Sequence, residues 1–373
     1  MTSIGGAEMV DWNLAVATAT RLVRPGPDVS RDEARAVVAE LRRHAKASEQ
    51  HVRGFTRMGT DDLHDTPILV VDRPGWVRAN VAGFREVLKP LLDKMQERRG
   101  NTPGGAVFGA VGGKVTGVEL GMLLSFLSSR VLGQYETFAP ATRELPAGAK
   151  GGRLLLVAPN IVHVERELDV QPHDFRLWVC LHEETHRTQF TAVPWLRDHL
   201  EGEIQSFLGE TEVDPMTVLE RIREAAQSLA GGRPEGEEDD EGRSLVEIVQ
   251  TPAQREILGR LTAVMSLLEG HADFVMDGVG PDVVASVAEI REKFQQRRAK
   301  GASRLDSALR KLLGLDAKLR QYRDGERFVR AVVEQVGMDG FNRVWTSPNT
   351  LPTKTEIAKP ADWVARVHRK AES

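Results

Sequence analysis

Residues 30–55, SRDEARAVVAELRRHAKASEQHVRGF, set apolar side chains three and four positions apart among charged ones. That is the spacing of one helical face. Ser30 stands at the N-cap position, and Asp32 and Glu33 fill a first turn that favours negative charge. The short β-branched run PILVVD (67–72) then predicts a strand, and RPGWVRANVAGFREVLKPLLDKM (73–95) a helix broken or bent at Pro90. RLLLVAP (153–159) is the strongest strand signal in the chain. Helical periodicity returns on either side of Pro194 and through the C-terminal third, before TSPNTLPTKTEIAKPADW (346–363) predicts irregular structure punctuated by proline. The expectation is a mainly α protein with a few short strands (α+β). It has a helical N-terminal lobe over 1–145, a second region over 146–373, and a histidine-bearing helix between two lobes.

Two segments break the periodic pattern. Gly105, Gly109, Gly113, Gly117 and Gly121 recur every fourth residue, which on a helix makes a stripe where a second backbone can approach closely. Lys114 and Glu119 interrupt this apolar stretch near its centre, which argues against a membrane span. GGRPEGEEDDEGR (231–243) is acidic and glycine-rich and reads as a mobile, solvated loop.

Composition narrows the function classes. Of 373 residues, 41% are hydrophobic and 28% charged, with a net charge of −4. Those values suit a soluble globular chain with no basic field to recruit nucleic acid or anionic lipid. A single cysteine, Cys180, excludes an internal disulfide and a cysteine-rich metal site. The N-terminus lacks the pattern of a secretory signal, so a cytoplasmic location is expected.

The chemistry-bearing stretch is LWVCLHEETHRTQF, 177–190. His182 and His186 are four apart, so on a helix both imidazoles reach one cation. Glu183 lies about 100° round the same helix, where it meets a metal-held water and acts as general base. Pro172 and Asp174 suit the first turn of that helix, and Pro194 limits its end. Phe175 and Val179 share a stripe with both histidines, which therefore continue an apolar face.

A catalytic Zn²⁺ takes three protein ligands and keeps one position open. Gln189 and Ala192 stand where an extended HExxHxxGxxH motif would have Gly and His, so that version is ruled out. In SLLEGHADFVMDG (266–278), Glu269 and Asp273 share one face of a helix that Thr251, Pro252 and Gln254 would start. Glu269 is assigned to the metal and Asp273 to support behind it. Leu258 and Met265 complete that stripe as apolar neighbours. Glu203, Glu210 and His271 stay open as alternative ligands. His271, Tyr135 and Tyr322 are the candidates for steadying an oxyanion.

Together with VDRPGWVRANVAGF, LSSRVLGQYE, LLLVAPNI, HEETHRTQF, LEGHADFVMD and SPNTLPTKTEIAKPADWV, the chain resembles zincin-like metallopeptidases of the glutamate-ligand type. It is most similar to a family of zinc-dependent peptidase-like proteins widespread in actinobacteria, some of them named for association with deazaflavin-coenzyme biosynthesis. The resemblance implies His182, His186 and Glu269 as ligands and Glu183 as base. The expected function is zinc-dependent hydrolysis of an amide bond, with a peptide or protein as substrate. A non-catalytic zinc scaffold or partner-binding protein, and a hydrolase of small amides or esters, are the alternative readings.

Overall fold

The computed structural model describes residues 9–59, 66–99, 105–139, 152–210, 252–300 and 315–369. The acidic segment 231–243, a helix expected from 213 to about 230, and the expected lobe boundary near 145 fall outside them, as does Thr251. The chain divides into two compact units, one of residues 1–47 and 64–183, the other of 48–63 and 184–373. Of the three crossings between them, those at 47/48 and 183/184 fall inside helices, the latter within HEETH itself, and the one at 63/64 lies outside the described residues.

The first unit contains α1 (Trp12–Leu22), the start of α2 (Arg31–Thr56), β1 (Ile68–Val71), α3 (Arg73–Arg99), α4 (Gly105–Ser128), β2 (Gly133–Glu136), β3 (Arg153–Val157), α5 (Ala158–Leu168) and the start of α6 (Pro172–Ala192). Ser30 caps α2 as expected, its Oγ accepting from the Glu33 N–H at 3.1 Å. The helix α3 continues through Pro90.

The sheet has the order β1-β3-β2, with β1 parallel and β2 antiparallel to β3. A central strand covered on both faces needs apolar residues at every position, and Leu154, Leu155, Leu156 and Val157 are all fully buried. The central place of β3 also removes it as an open edge for a peptide. The second strand, not expected from sequence, is an edge strand of this sheet.

The glycine stripe does what its spacing predicts where it is described. A Cβ on Gly117 would stand 2.6 Å from the Asp11 carbonyl oxygen, and one on Gly121 2.7 Å from that of Ala15, so α4 meets the backbone of α1 directly. Asn160 joins the elements beneath. Its amide donates to the carbonyls of Ser128 and Val131 at 2.7 Å each, and its oxygen accepts from Arg73 Nε at 2.7 Å. These bonds fix the approach of the chain into β2.

The second unit contains the ends of α2 and α6, then α7 (Pro194–Gly209), α8 (Pro252–Val283), α9 (Val287–Lys300), α10 (Leu315–Phe341), α11 (Lys354–Ala358) and α12 (Pro360–Arg369). The segment expected to be irregular is well organised. Two capping boxes, Ser347 with Thr350 and Thr353 with Glu356, start a 3-10 turn and α11. Trp363 is fully buried and donates from Nε1 to the Thr350 carbonyl at 2.8 Å.

Helices α8 and α10 touch backbone to backbone. A Cβ on Gly325 would lie 1.9 Å from the Ser266 carbonyl oxygen, and one on Gly270 2.1 Å from the Gly325 carbonyl carbon. No rotamer relieves either clash, so the helices must separate. Gly325→Ala is expected to destabilise the protein by about 1–3 kcal/mol, the usual range for overpacking. The measurement is a denaturant midpoint; an unchanged midpoint would show that this crossing yields freely. Among the described residues, no helix is long and apolar enough to cross a membrane.

Candidate metal centre

The HEETH helix is not amphipathic. Leu177 to Leu181, Glu183 to Thr185 and Arg187 to Gln189 are all buried, whichever side of α6 they occupy. His182 and His186 are the less enclosed positions in this stretch. They do not continue a sealed apolar face, as their spacing with Phe175 and Val179 implied, but mark where a buried helix comes near accessible space. Cys180 is a buried core residue, its Sγ donating weakly to the Leu41 carbonyl at 3.8 Å.

Glu269 comes to these histidines from α8. His186 Nε2 and Glu269 Oε1 are 3.7 Å apart, with side chains 13% and 25% exposed. His182, one turn earlier on α6, completes a set whose ligand atoms all lie within 4.8 Å of one another. Two donors on a tetrahedral zinc at about 2.0–2.1 Å sit roughly 3.3–3.4 Å apart. The His186–Glu269 pair thus needs to close by a few tenths of an ångström, and no pair in the set by more than about 1.5 Å, to hold a zinc ion. Two imidazoles and a carboxylate with partial access are also the donor types of a catalytic rather than a closed structural zinc.

Gln189, read from sequence only as the residue that spoils an extended motif, holds the centre of this arrangement. It is fully buried. Its Oε1 accepts from His186 Nδ1 at 3.0 Å, while its Nε2 donates to the Leu268 carbonyl at 2.9 Å and to His271 Nδ1 at 3.1 Å. A proton on His186 Nδ1 leaves the Nε2 lone pair directed at Glu269, the tautomer a ligand needs. The Leu268 bond ties the same amide to the residue before Glu269. Gln189→Ala is expected to lower zinc affinity about 10–100-fold, as loss of outer partners does. Chelator competition measures this, and unchanged affinity would reduce Gln189 to packing.

His271 belongs to this support and not to a substrate surface. Fully buried, it packs at a tilt against Phe341 and Trp345, with ring centroids 5.2 and 5.4 Å away. Burial, with His186 adding to it, pushes its pKa down to about 3, so the ring is neutral and accepts from Gln189. A ring with no exposed surface cannot steady an oxyanion in an open cleft. Asp273 lies one turn beyond Glu269 on α8, partly buried. Glu203 is held by Arg260 at 2.9 Å, and Glu210 ends α7 at its C-cap. Tyr322 lies on α10, its side chain outside the described residues.

Glu183 is buried against the start of β2. A Cβ on Gly133 would stand 2.5 Å from the Glu183 Cδ, so this position admits only glycine unless the carboxylate moves. Tyr135 sits two residues on, with its hydroxyl 2.4 Å from where a Cβ on Gly152 would stand. Gly133 pairs with Leu156 and Tyr135 with Leu154. The hydroxyl thus reaches toward the end of the sheet opposite Glu183, about 13 Å along the strand at 3.3 Å per residue.

Glu184, the second glutamate of the motif, has a different role. Its Oε1 accepts from Arg187 at 2.9 Å, and burial raises its pKa to about 7 despite that arginine. Arg187 also reaches Glu49 at 3.5 Å, which secures α6 to the last turns of α2.

A family model described as "Zincin-like metallopeptidase" matches residues 10–364. The chain belongs to the zincin-like metallopeptidase family. Among solved structures, the chain is similar to a protein from Chloroflexus aurantiacus, provisionally described as a hydrolase with a novel fold. The two are 30% identical, with a TM-score of 0.67 over 96% of this chain and 99% of the other. A search of curated proteins finds no match. Family membership implies a metal, typically zinc, and the residues of this zincin-like centre fit one.

Proposed function

We propose that the protein is a zinc-dependent peptidase in which His182, His186 and Glu269 hold the metal and Glu183 is the general base. The observation that carries this reading is the convergence of those three donors beside a buried glutamate that abuts an edge strand. Zinc held there would bring the pKa of a bound water towards about 7 and polarise a carbonyl.

Glu183 accepts the proton released from the attacking water and returns it to the leaving nitrogen. Its packing against Gly133 keeps the carboxylate in one place, so little reorganisation precedes transfer. An extended peptide would add to β2 through main-chain bonds, which recognise backbone rather than sequence. On α8, Leu258 and Met265 are 37% and 39% exposed. Contrary to the expected buried stripe, they give an accessible apolar strip leading along the helix to Glu269, suited to an apolar substrate side chain. The zinc-dependent peptidase-like proteins of actinobacteria remain the subgroup that its motifs resemble.

The test is zinc-loaded protein against a mixed-sequence peptide library read by mass spectrometry, with Glu183→Gln as control. Peptide cleavage by wild type alone supports the proposal. Turnover of small amides or esters alone would replace peptidase with small-amide or ester hydrolase, and no turnover of any kind would leave a non-catalytic zinc protein.

A further inference from the structure

We propose a second divalent transition-metal site in the first unit, formed by Glu40 and His44 of α2 and His173 in the first turn of α6. These three side chains each offer a ligand atom, and the three atoms lie within 4.8 Å of one another. His44 Nε2 and Glu40 Oε1 are 3.3 Å apart, the edge length expected for two ligands on one tetrahedral ion of about 2.0–2.1 Å bond length. The rings of His44 and His173 meet edge to face with centroids 4.7 Å apart.

The surroundings prepare the donors. Arg176 holds Glu40 by its other oxygen, Oε2, and grips Glu165 through Nε at 2.9 Å and Nη2 at 2.5 Å. Glu40 is thereby turned so that Oε1 faces His44, a one-oxygen ligand with a fixed direction. Asp174 Oδ1 lies 3.3 Å from His173 Nδ1. A carboxylate beside the second ring nitrogen is the usual support for a histidine ligand.

Two imidazoles and a carboxylate select zinc, nickel or copper(II) over magnesium or calcium. The His173 side chain is 62% exposed, so water can complete the shell and exchange is direct. Such an ion would clip α2 to the entry of the HEETH helix, within one unit and apart from the HEETH donors.

The experiment measures zinc per chain and zinc affinity in four full-length proteins: wild type, His186→Ala, His173→Gln and the double variant. His173 is chosen because an exposed side chain can be replaced without disturbing the core. Wild type is expected to bind two zinc ions and each single variant one. The His186→Ala protein should lose at least tenfold in affinity when His173→Gln is added. Zinc should raise the melting temperature of His186→Ala by about 2–4 °C, an effect absent from the double variant.

One zinc in wild type that His173→Gln leaves unchanged, with none in His186→Ala, would overturn the proposal. The cluster would then be an ion-paired contact between two helices. One zinc lost in His173→Gln but kept in His186→Ala would support this site while refuting the HEETH site, so the two fail separately. If His186→Ala does not fold, wild type against His173→Gln decides alone: a fall of one zinc supports the site and no fall overturns it.

Discussion

Glu269→Ala is expected to weaken zinc binding at the HEETH site by more than about 100-fold. Loss of an outer partner already costs about 10–100-fold, and this substitution removes a ligand itself. A hundredfold corresponds to about 2.7 kcal/mol. The effect falls on affinity and not on folding, because Glu269 sits at the accessible margin of α8 while the helix is held by Val264, Leu268, Ala272, Val275 and Met276 in the core. Chelator competition for the ion that remains in a His173→Gln background, with a melting curve alongside, separates the two. Full retention of that ion would remove Glu269 from the ligand set. With Glu203 held by Arg260 and His271 buried against Gln189, the search would then turn to Glu210 and to donors outside the described residues.

Glu183→Gln carries the second large expectation: turnover falls by about 100- to 10,000-fold while zinc affinity stays within a few-fold of wild type. That loss corresponds to roughly 2.7–5.5 kcal/mol of barrier. Glutamine keeps the shape that packs on Gly133 and removes only the capacity to take a proton. Single-turnover rates on any substrate found, with metal analysis on the same sample, give both numbers. Equal turnover in the variant would show that another group moves the proton.

Much of the centre could be read without coordinates because its signals are local. The spacing of His182 and His186, Pro172 in the first turn of their helix, and Glu269 on a second helix are all features of a few consecutive residues. Glycines at 117 and 121 announced close packing for the same reason. What escaped depends on partners distant in sequence. The GQYE strand is four residues long and mostly polar, and only pairing with β3 makes it a strand. Gln189 counted only against an extended motif, because nothing nearby in sequence says that its side of α6 is buried. Leu258 and Met265 misled in the opposite direction, as apolar residues in phase with a core face that the fold leaves accessible. TKTE, by contrast, was a legible capping box that went unread beneath the surrounding prolines.

Cys180, the chain's one thiol, is shut inside the core with its sulfur against the Leu41 carbonyl. The donors gathered for metal are imidazole nitrogens and carboxylate oxygens. Peroxides and disulfide exchange, which expel zinc from thiolate sites by consuming the ligands, find no sulfur here to attack. Zinc bound by these donors would therefore follow acidity and zinc supply, and would be indifferent to the redox potential around it.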